Sequence, residues 1–177
     1  MTKTTGMQTV KQAKTYYTKE NYHQKNSEKG YFYSNSNQLM EFLGLDYKQE
    51  VTNETHFDLI EGFNPKNKEA LANNSGTQNR RAGFDITTNS PKSFSLLCEF
   101  ARANNQDDFL NFLGSIQREA NLRMMNEASK YALTRLSDEK RTRINNIDVV
   151  WASFEHDTAR VTKEGFIDPH EHTHNFM

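Results

Sequence analysis

Three histidines near the end of this 177-residue chain have the spacing of metal ligands. His172 and His174 flank a single threonine, and on a strand side chains two apart project from the same face. His156 stands sixteen residues before His172, in a segment that also reads as a strand. Pairing of the two strands would bring a third imidazole beside the first two. Three nitrogen donors with an open position are the ligand set of a catalytic metal ion. His170 shares the face but falls at a turn, so it is left out of the set. Near the other end stand Tyr16 and Tyr17. A phenol has a pKa of about 10 and is a poor nucleophile at neutral pH. It becomes effective toward a phosphoryl group whose charge a metal ion draws off. The plainer alternatives are a surface hairpin with scattered histidines and a tyrosine pair that only packs.

These residues need strands and helices to hold them, and the pattern supplies both. Met7 to Val10 reads as a short strand and Lys11 to Tyr17 as a helix. Residues 18–37 read as a long polar loop. Asn37 caps a short helix, Gln38 to Leu43, that stops at Gly44. A further short helix lies within 49–62, and 64–80 is a loop rich in Asn and Lys. Arg81 to Thr88 alternates like a strand. Ser90 then caps a helix with Pro91 at its first position, and Phe94, Leu97 and Ala101 recur at helical spacing. A longer helix, Asp107 to Leu133, has the apolar stripe Phe109, Leu113, Ile116, Ala120, Met124, Ala128 and Tyr131. Residues 137–146 are a charged connector. Asp148 to Asp157 is a strand with Val149, Trp151 and Ser153 on one face and Val150, Ala152, Phe154 and His156 on the other. After an excursion over 159–166 and a turn at Asp168-Pro169, His170 opens the last strand.

Composition narrows the function classes. Apolar residues are 34% of the chain, low for a globular domain, but aromatics are 11%, enough to build a core and to exclude a disordered chain. Lys and Arg number 22 against 23 Asp and Glu, so the strongly basic balance of an autonomous nucleic-acid binder is absent. The single Cys98 excludes an intramolecular disulfide. No apolar run approaches the length of a membrane span. The first residues lack the apolar core of a signal peptide, and the expected location is cytoplasmic.

Two blocks carry a resemblance. One is Arg81-Ala82-Gly83-Phe84-Asp85-Ile86-Thr87-Thr88-Asn89-Ser90-Pro91-Lys92-Ser93. The other is Phe154-Glu155-His156-Asp157-Thr158-Ala159-Arg160 followed by Asp168-Pro169-His170-Glu171-His172-Thr173-His174. With Tyr16-Tyr17 they closely resemble the relaxase domain of conjugative (MobF-type) relaxase-helicases, of the histidine–tyrosine (HUH) endonuclease class. The order and approximate spacing match over nearly the whole chain.

The resemblance implies an α+β fold: an antiparallel sheet that carries the two-histidine strand, with helices packed on one face. It implies metal-dependent nicking of one DNA strand at a conjugative transfer origin. Tyr16, by position, or its neighbour Tyr17 attacks the scissile phosphate and forms a 5′-phosphotyrosyl link. His156, His172 and His174 match the metal-binding histidines. Asp85 matches the active-site carboxylate, which orients an imidazole or takes the tyrosine proton. The resemblance implies Mg²⁺ or Mn²⁺, with Zn²⁺ as an alternative, although three neutral imidazoles suit Zn, Mn, Fe, Ni or Cu better than Mg. Arg80, Arg81, Lys92 and Ser93 are placed to meet the DNA backbone. The expected partner is single-stranded or hairpin DNA of a transfer origin, with other conjugation proteins as further candidates and no insertion into membranes.

Several positions depart from the family pattern. The second tyrosine pair is here Tyr22-His23, one residue nearer the first than expected. Glu171 stands where an aliphatic residue is usual, and on the opposite face of its strand it would need a polar environment. The chain closes three residues after His174, so residues 1–177 are expected to be the N-terminal portion of a relaxase domain, without its C-terminal part or a helicase, and cleavage is expected to be impaired. The alternatives are a non-catalytic DNA-binding remnant, an initiator of rolling-circle replication and, from the ligands alone, a metal hydrolase.

Overall fold

The computed structural model describes residues 2–19, 29–135, 143–144, 147–159, 161 and 163–177. Its elements in chain order are β1 (Thr2–Thr9), α1 (Val10–Lys19), β2 (Tyr31–Ser34), α2 (Asn37–Leu43), α3 (Asn53–Glu61), β3 (Arg81–Asn89), α4 (Lys92–Ala103), α5 (Asp107–Ser129), β4 (Thr134–Arg135), β5 (Arg143–Ile144), β6 (Val150–Thr158) and β7 (Pro169–Phe176). Five strands form one sheet in the order β1-β3-β7-β6-β2, with all neighbours antiparallel. The last strand is therefore central, held by β3 on one side and β6 on the other. Strands β4 and β5 make a separate two-stranded ribbon.

The α+β class with an antiparallel sheet is as expected, but the helices do not keep to one face. Ala152 and Phe154 of β6 pack in a core with Val10 and Ala13 of α1, Met40 and Leu43 of α2, and Ile60 of α3. Val149 and Trp151, alternate residues of the same segment, pack instead with Met125 of α5. The period-two alternation of β6 thus gives both faces apolar side chains, and each face needs its own helical cover. Helices α1–α3 cover one and the α4–α5 pair covers the other.

Local chemistry explains the element ends. The Ser36 hydroxyl, one residue before the expected cap Asn37, accepts the Leu39 N–H, and Gly44 closes α2 at φ +67°. Thr52 and Thr55 form a reciprocal capping box on α3, and Gly62 ends it at φ +86°. Helix α4 starts one residue later than predicted. Pro91 is its N-cap and makes no side-chain bond, while the Ser90 N–H donates to the Glu171 carbonyl at 3.0 Å. Strand β2 falls inside the segment read as a loop. Helix α5 ends at Ser129, and its buried residues are Leu113, Asn121, Met125 and Ser129. Of the predicted stripe, Phe109, Ile116 and Tyr131 are exposed. The stripe is rotated because Asn121 takes part in buried hydrogen bonds that an apolar count overlooks.

Candidate metal centre

The strand pairing builds the site directly. His156 lies opposite His172 in the β6–β7 ladder, and Phe154 lies opposite His174. His172 and His174 are two apart on β7, so all three imidazoles meet on the sheet face covered by α1–α3. Ring centroids are 5.1 Å apart for His156–His172, 5.3 Å for His156–His174 and 5.1 Å for His172–His174. One nitrogen from each ring lies within 4.8 Å of the others.

The second nitrogens are oriented by their partners. His172 Nδ1 is 2.8 Å from the His170 carbonyl oxygen. A carbonyl only accepts, so Nδ1 carries the proton and Nε2 the lone pair. His174 Nδ1 is 2.9 Å and 3.2 Å from the two oxygens of Asp85, with the Thr87 hydroxyl at 3.4 Å. The carboxylate fixes the same tautomer there. This is how proteins prepare imidazoles for a cation: the outer nitrogen is tied down and the inner one presented. Burial, then the charges of His174 and His172, pushes His156 down to about 3, and burial also lowers His172. Both rings are therefore neutral at physiological pH, the form that coordinates metal. The convergence of the three rings, the neutrality of His156 and His172 and the tautomers of His172 and His174 fit a divalent ion held by all three.

The other predicted residues divide. Asp85 joins the histidines. Tyr16 and Tyr17 lie on α1, whose Val10 and Ala13 share a core with Ala152, Phe154 and Phe176. That helix is thus on the imidazole side of the sheet. The tyrosine side chains lie outside the described residues, as does Tyr22 altogether. Arg80 is turned inward: Nη1 donates to the Ile60 carbonyl at 3.2 Å, and any Cβ on Gly62 would strike that nitrogen. Arg81 is exposed at the start of β3, opposite Thr9. Lys92 Nζ bonds the Pro169 carbonyl at 2.8 Å and pairs with Asp168 at 2.5 Å, which fastens α4 to the start of β7. Ser93 is exposed in the first turn of α4.

Behind the site stand Glu171, flagged by the sequence, and Arg102, Asn121 and Asn175, which the sequence did not single out. Glu171 is 7% exposed and receives the polar environment it requires: Arg102 Nη2 lies 2.6 Å from its Oε1. Asn175, fully buried, exchanges amide hydrogen bonds with Asn121 of α5 at 2.9 and 3.0 Å and accepts from Ser153 at 2.6 Å. The signal for Arg102 was present, since a glutamate facing inward needs a cation.

The family model for TrwC relaxase matches residues 10–177. No curated protein matches the chain. Among solved structures, conjugative relaxase TrwC in complex with oriT DNA, metal-free, is similar at TM-score 0.70 and 22% identity, covering 99% of this chain and 55% of that one. TrwC complexed with a 27-mer DNA comprising the recognition hairpin and the cleavage site gives 0.69 and 22%, covering 99% and 54%. The copper-bound TrwC–oriT complex gives 0.69 and 23%, covering 99% and 56%. These likenesses show a shared fold, and the chain spans about half the length of the solved chains it resembles. With the family match running from the start of α1 through the last strand, the chain belongs to the TrwC relaxase family.

Proposed function

We propose that the chain carries out relaxase chemistry: metal-assisted nicking of single-stranded or hairpin DNA at a conjugative transfer origin, by tyrosine transesterification. The observation that carries this reading is the three-imidazole cluster with Asp85 behind His174, on the sheet face that α1 also covers. The similar TrwC chains were solved with oriT DNA and, in one case, with copper. A divalent ion held by His156, His172 and His174 would supply a Lewis acid for the scissile phosphate. Mg²⁺ or Mn²⁺ is the working ion we favour, with Zn²⁺ as an alternative, since an all-imidazole set suits Zn, Mn, Fe, Ni or Cu better than Mg.

The remaining steps belong to the chain's own residues. The Tyr16 hydroxyl attacks phosphorus, a P–Oη bond forms, and the P–O3′ bond breaks. The tyrosine proton is transferred away and the departing 3′-oxygen is protonated. The products are a 5′-phosphotyrosyl link and a free 3′-hydroxyl, with no water or nucleotide consumed, so the step is reversible. Tyr17 is the alternative nucleophile. Asp85 keeps the His174 ring in one orientation and tautomer. Arg81 and Ser93, both exposed, meet backbone phosphates, while Lys92, held by Pro169 and Asp168, supports the start of α4.

Incubation with Mn²⁺ and a transfer-origin oligonucleotide, followed by denaturing electrophoresis, tests the proposal. A covalent adduct, even in low yield, is the outcome that supports this reading. It should vanish with chelator and in Tyr16→Phe and persist in Tyr17→Phe. The reverse pattern would move the nucleophile to Tyr17. Cleavage to free ends with no adduct would mean hydrolysis, and binding with no cleavage would mean a DNA-binding remnant.

A further inference from the structure

Behind the imidazoles, the opposite face of β6 and β7 carries three carboxylates. Glu155 and Asp157 flank His156, and Glu171 precedes His172. Glu171 is buried and Glu155 and Asp157 are half-buried; a carboxylate drawn from water is costly unless a cation meets it, and α4 and α5 each supply one. Arg118 of α5 pairs with Glu155 alone among these three, at 3.2 Å. Arg102 of α4 differs, because it spans both strands. Its Nη2 lies 2.6 Å from Glu171 on β7 and 3.7 Å from Asp157 on β6. Helix α4 grips the same point a second way, since the Ser95 hydroxyl accepts the Glu171 backbone N–H at 3.0 Å.

The location of this bridge matters. His156 and His172 are directly opposed, and the β6–β7 register shifts between His156 and Thr158. The regular ladder therefore stops fixing the strand spacing just where two ligands must hold a set separation. We infer that Arg102 is a positioning residue of the metal centre: by bridging Asp157 and Glu171 behind the sheet, it sets the approach of His156 to His172. The inference rests on reading the three histidines as metal ligands.

Co²⁺ is a suitable probe, because its visible absorption bands report ligand geometry. Titrations would compare wild type, Arg102→Lys, the double variant Arg102→Leu/Glu171→Leu, and the control Arg118→Leu/Glu155→Leu, each with a metal-free thermal melt. Both doubles remove one charge of each sign, so the net charge behind the site is unchanged. Replacing a buried ion pair by apolar residues of similar volume is often neutral for stability. Wild type is expected to bind Co²⁺. The Arg102/Glu171 double should bind about tenfold more weakly, with displaced bands and a near-native melt. Arg102→Lys should fall between, since it keeps the charge but loses the planar guanidinium that presents Nη2 to both carboxylates. The control should match wild type. Wild-type affinity and spectrum in the Arg102/Glu171 double would overturn the inference, as would an equal loss in the control. A loss seen only in variants whose melts fall in parallel would make Arg102 merely structural and overturn it too. A folded wild type that binds no Co²⁺ would remove the metal-centre reading itself, and the inference with it.

Discussion

Asp85 and His174 are diagonal neighbours across β3 and β7. In the ladder Asp85 faces Phe176 and His174 faces Thr87, yet the carboxylate reaches back to His174 Nδ1 at 2.9 Å. Asp85 is 2% exposed, so the contact is shielded from competing water and holds the ring firmly.

Asp85→Ala is therefore expected to weaken metal binding by about 10- to 100-fold, the usual effect of removing a group that orients a ligating imidazole. Asp85→Asn should lose less, because its amide oxygen still accepts from Nδ1–H. Calorimetric titration with Mn²⁺ or Co²⁺ checks both. Unchanged affinity in Asp85→Ala would assign the carboxylate to another role, such as accepting the tyrosine proton.

Stability of the metal-free chain should depend on pH through His156. Its folded-state pKa is pushed down to about 3, first by burial and then by the other two imidazoles, whereas in the unfolded chain it titrates near ~6.5. Between those values the unfolded chain binds more protons, so stability is full above the unfolded value and is lost as pH falls toward the folded one. His172, lowered in the same direction, adds to the loss. The urea midpoint should be lower at pH 5 than at pH 7, and His156→Gln should flatten the difference. An undiminished slope in that variant would place the sensitivity elsewhere.

How much of this was legible in the sequence depended on the period involved. The alternation over residues 149–156 was readable, and it correctly put His156 on the face of Ala152 and Phe154. The same alternation puts Trp151 and Val149 opposite, a second apolar face that the expected one-sided packing of helices left uncovered. Strand β2 was hidden because four residues among Asn, Ser and Lys carry little periodic signal. It forms because Phe32 enters one core and Tyr33 the other. The α5 stripe was misplaced because Asn121 and Ser129 are buried there, and their hydrogen bonds join residues 54 and 94 positions away in sequence. Long-range polar pairing leaves no local pattern.

That polar pairing is itself testable. Asn121 and Asn175 bond each other reciprocally, and Asn175 also donates to the Ile86 carbonyl at 3.0 Å. One side chain thus links α5, β3 and β7. Replacing either Asn by Ala leaves a buried amide without its partner and should cost about 1–3 kcal/mol. In a double-mutant cycle the combined loss should be smaller than the sum, with a coupling of about 0.5–3 kcal/mol. Additive losses in urea denaturation would show that the two amides act independently.

The adjacent Arg80 and Arg81 should behave differently despite identical chemistry. Arg80 is committed to the fold: it donates to Ile60 at the end of α3, lies against Gly62, and is lowered in pKa by desolvation. Its Nε is buried without a hydrogen-bond partner, so the side chain is held by packing as well as by its one bond. Arg80→Ala should therefore lower stability by about 1–3 kcal/mol, in the range for a lost hydrogen bond from a charged donor. Arg81 is exposed, and Arg81→Ala should change stability by no more than about 0.5 kcal/mol. If Arg81 meets a phosphate, its loss should reduce the slope of log affinity against log salt by about 0.7 for single-stranded DNA. Fluorescence anisotropy over a salt series, paired with thermal melts, separates the two. A changed salt slope in Arg80→Ala at unchanged stability would mean that this guanidinium leaves its pocket to meet the DNA.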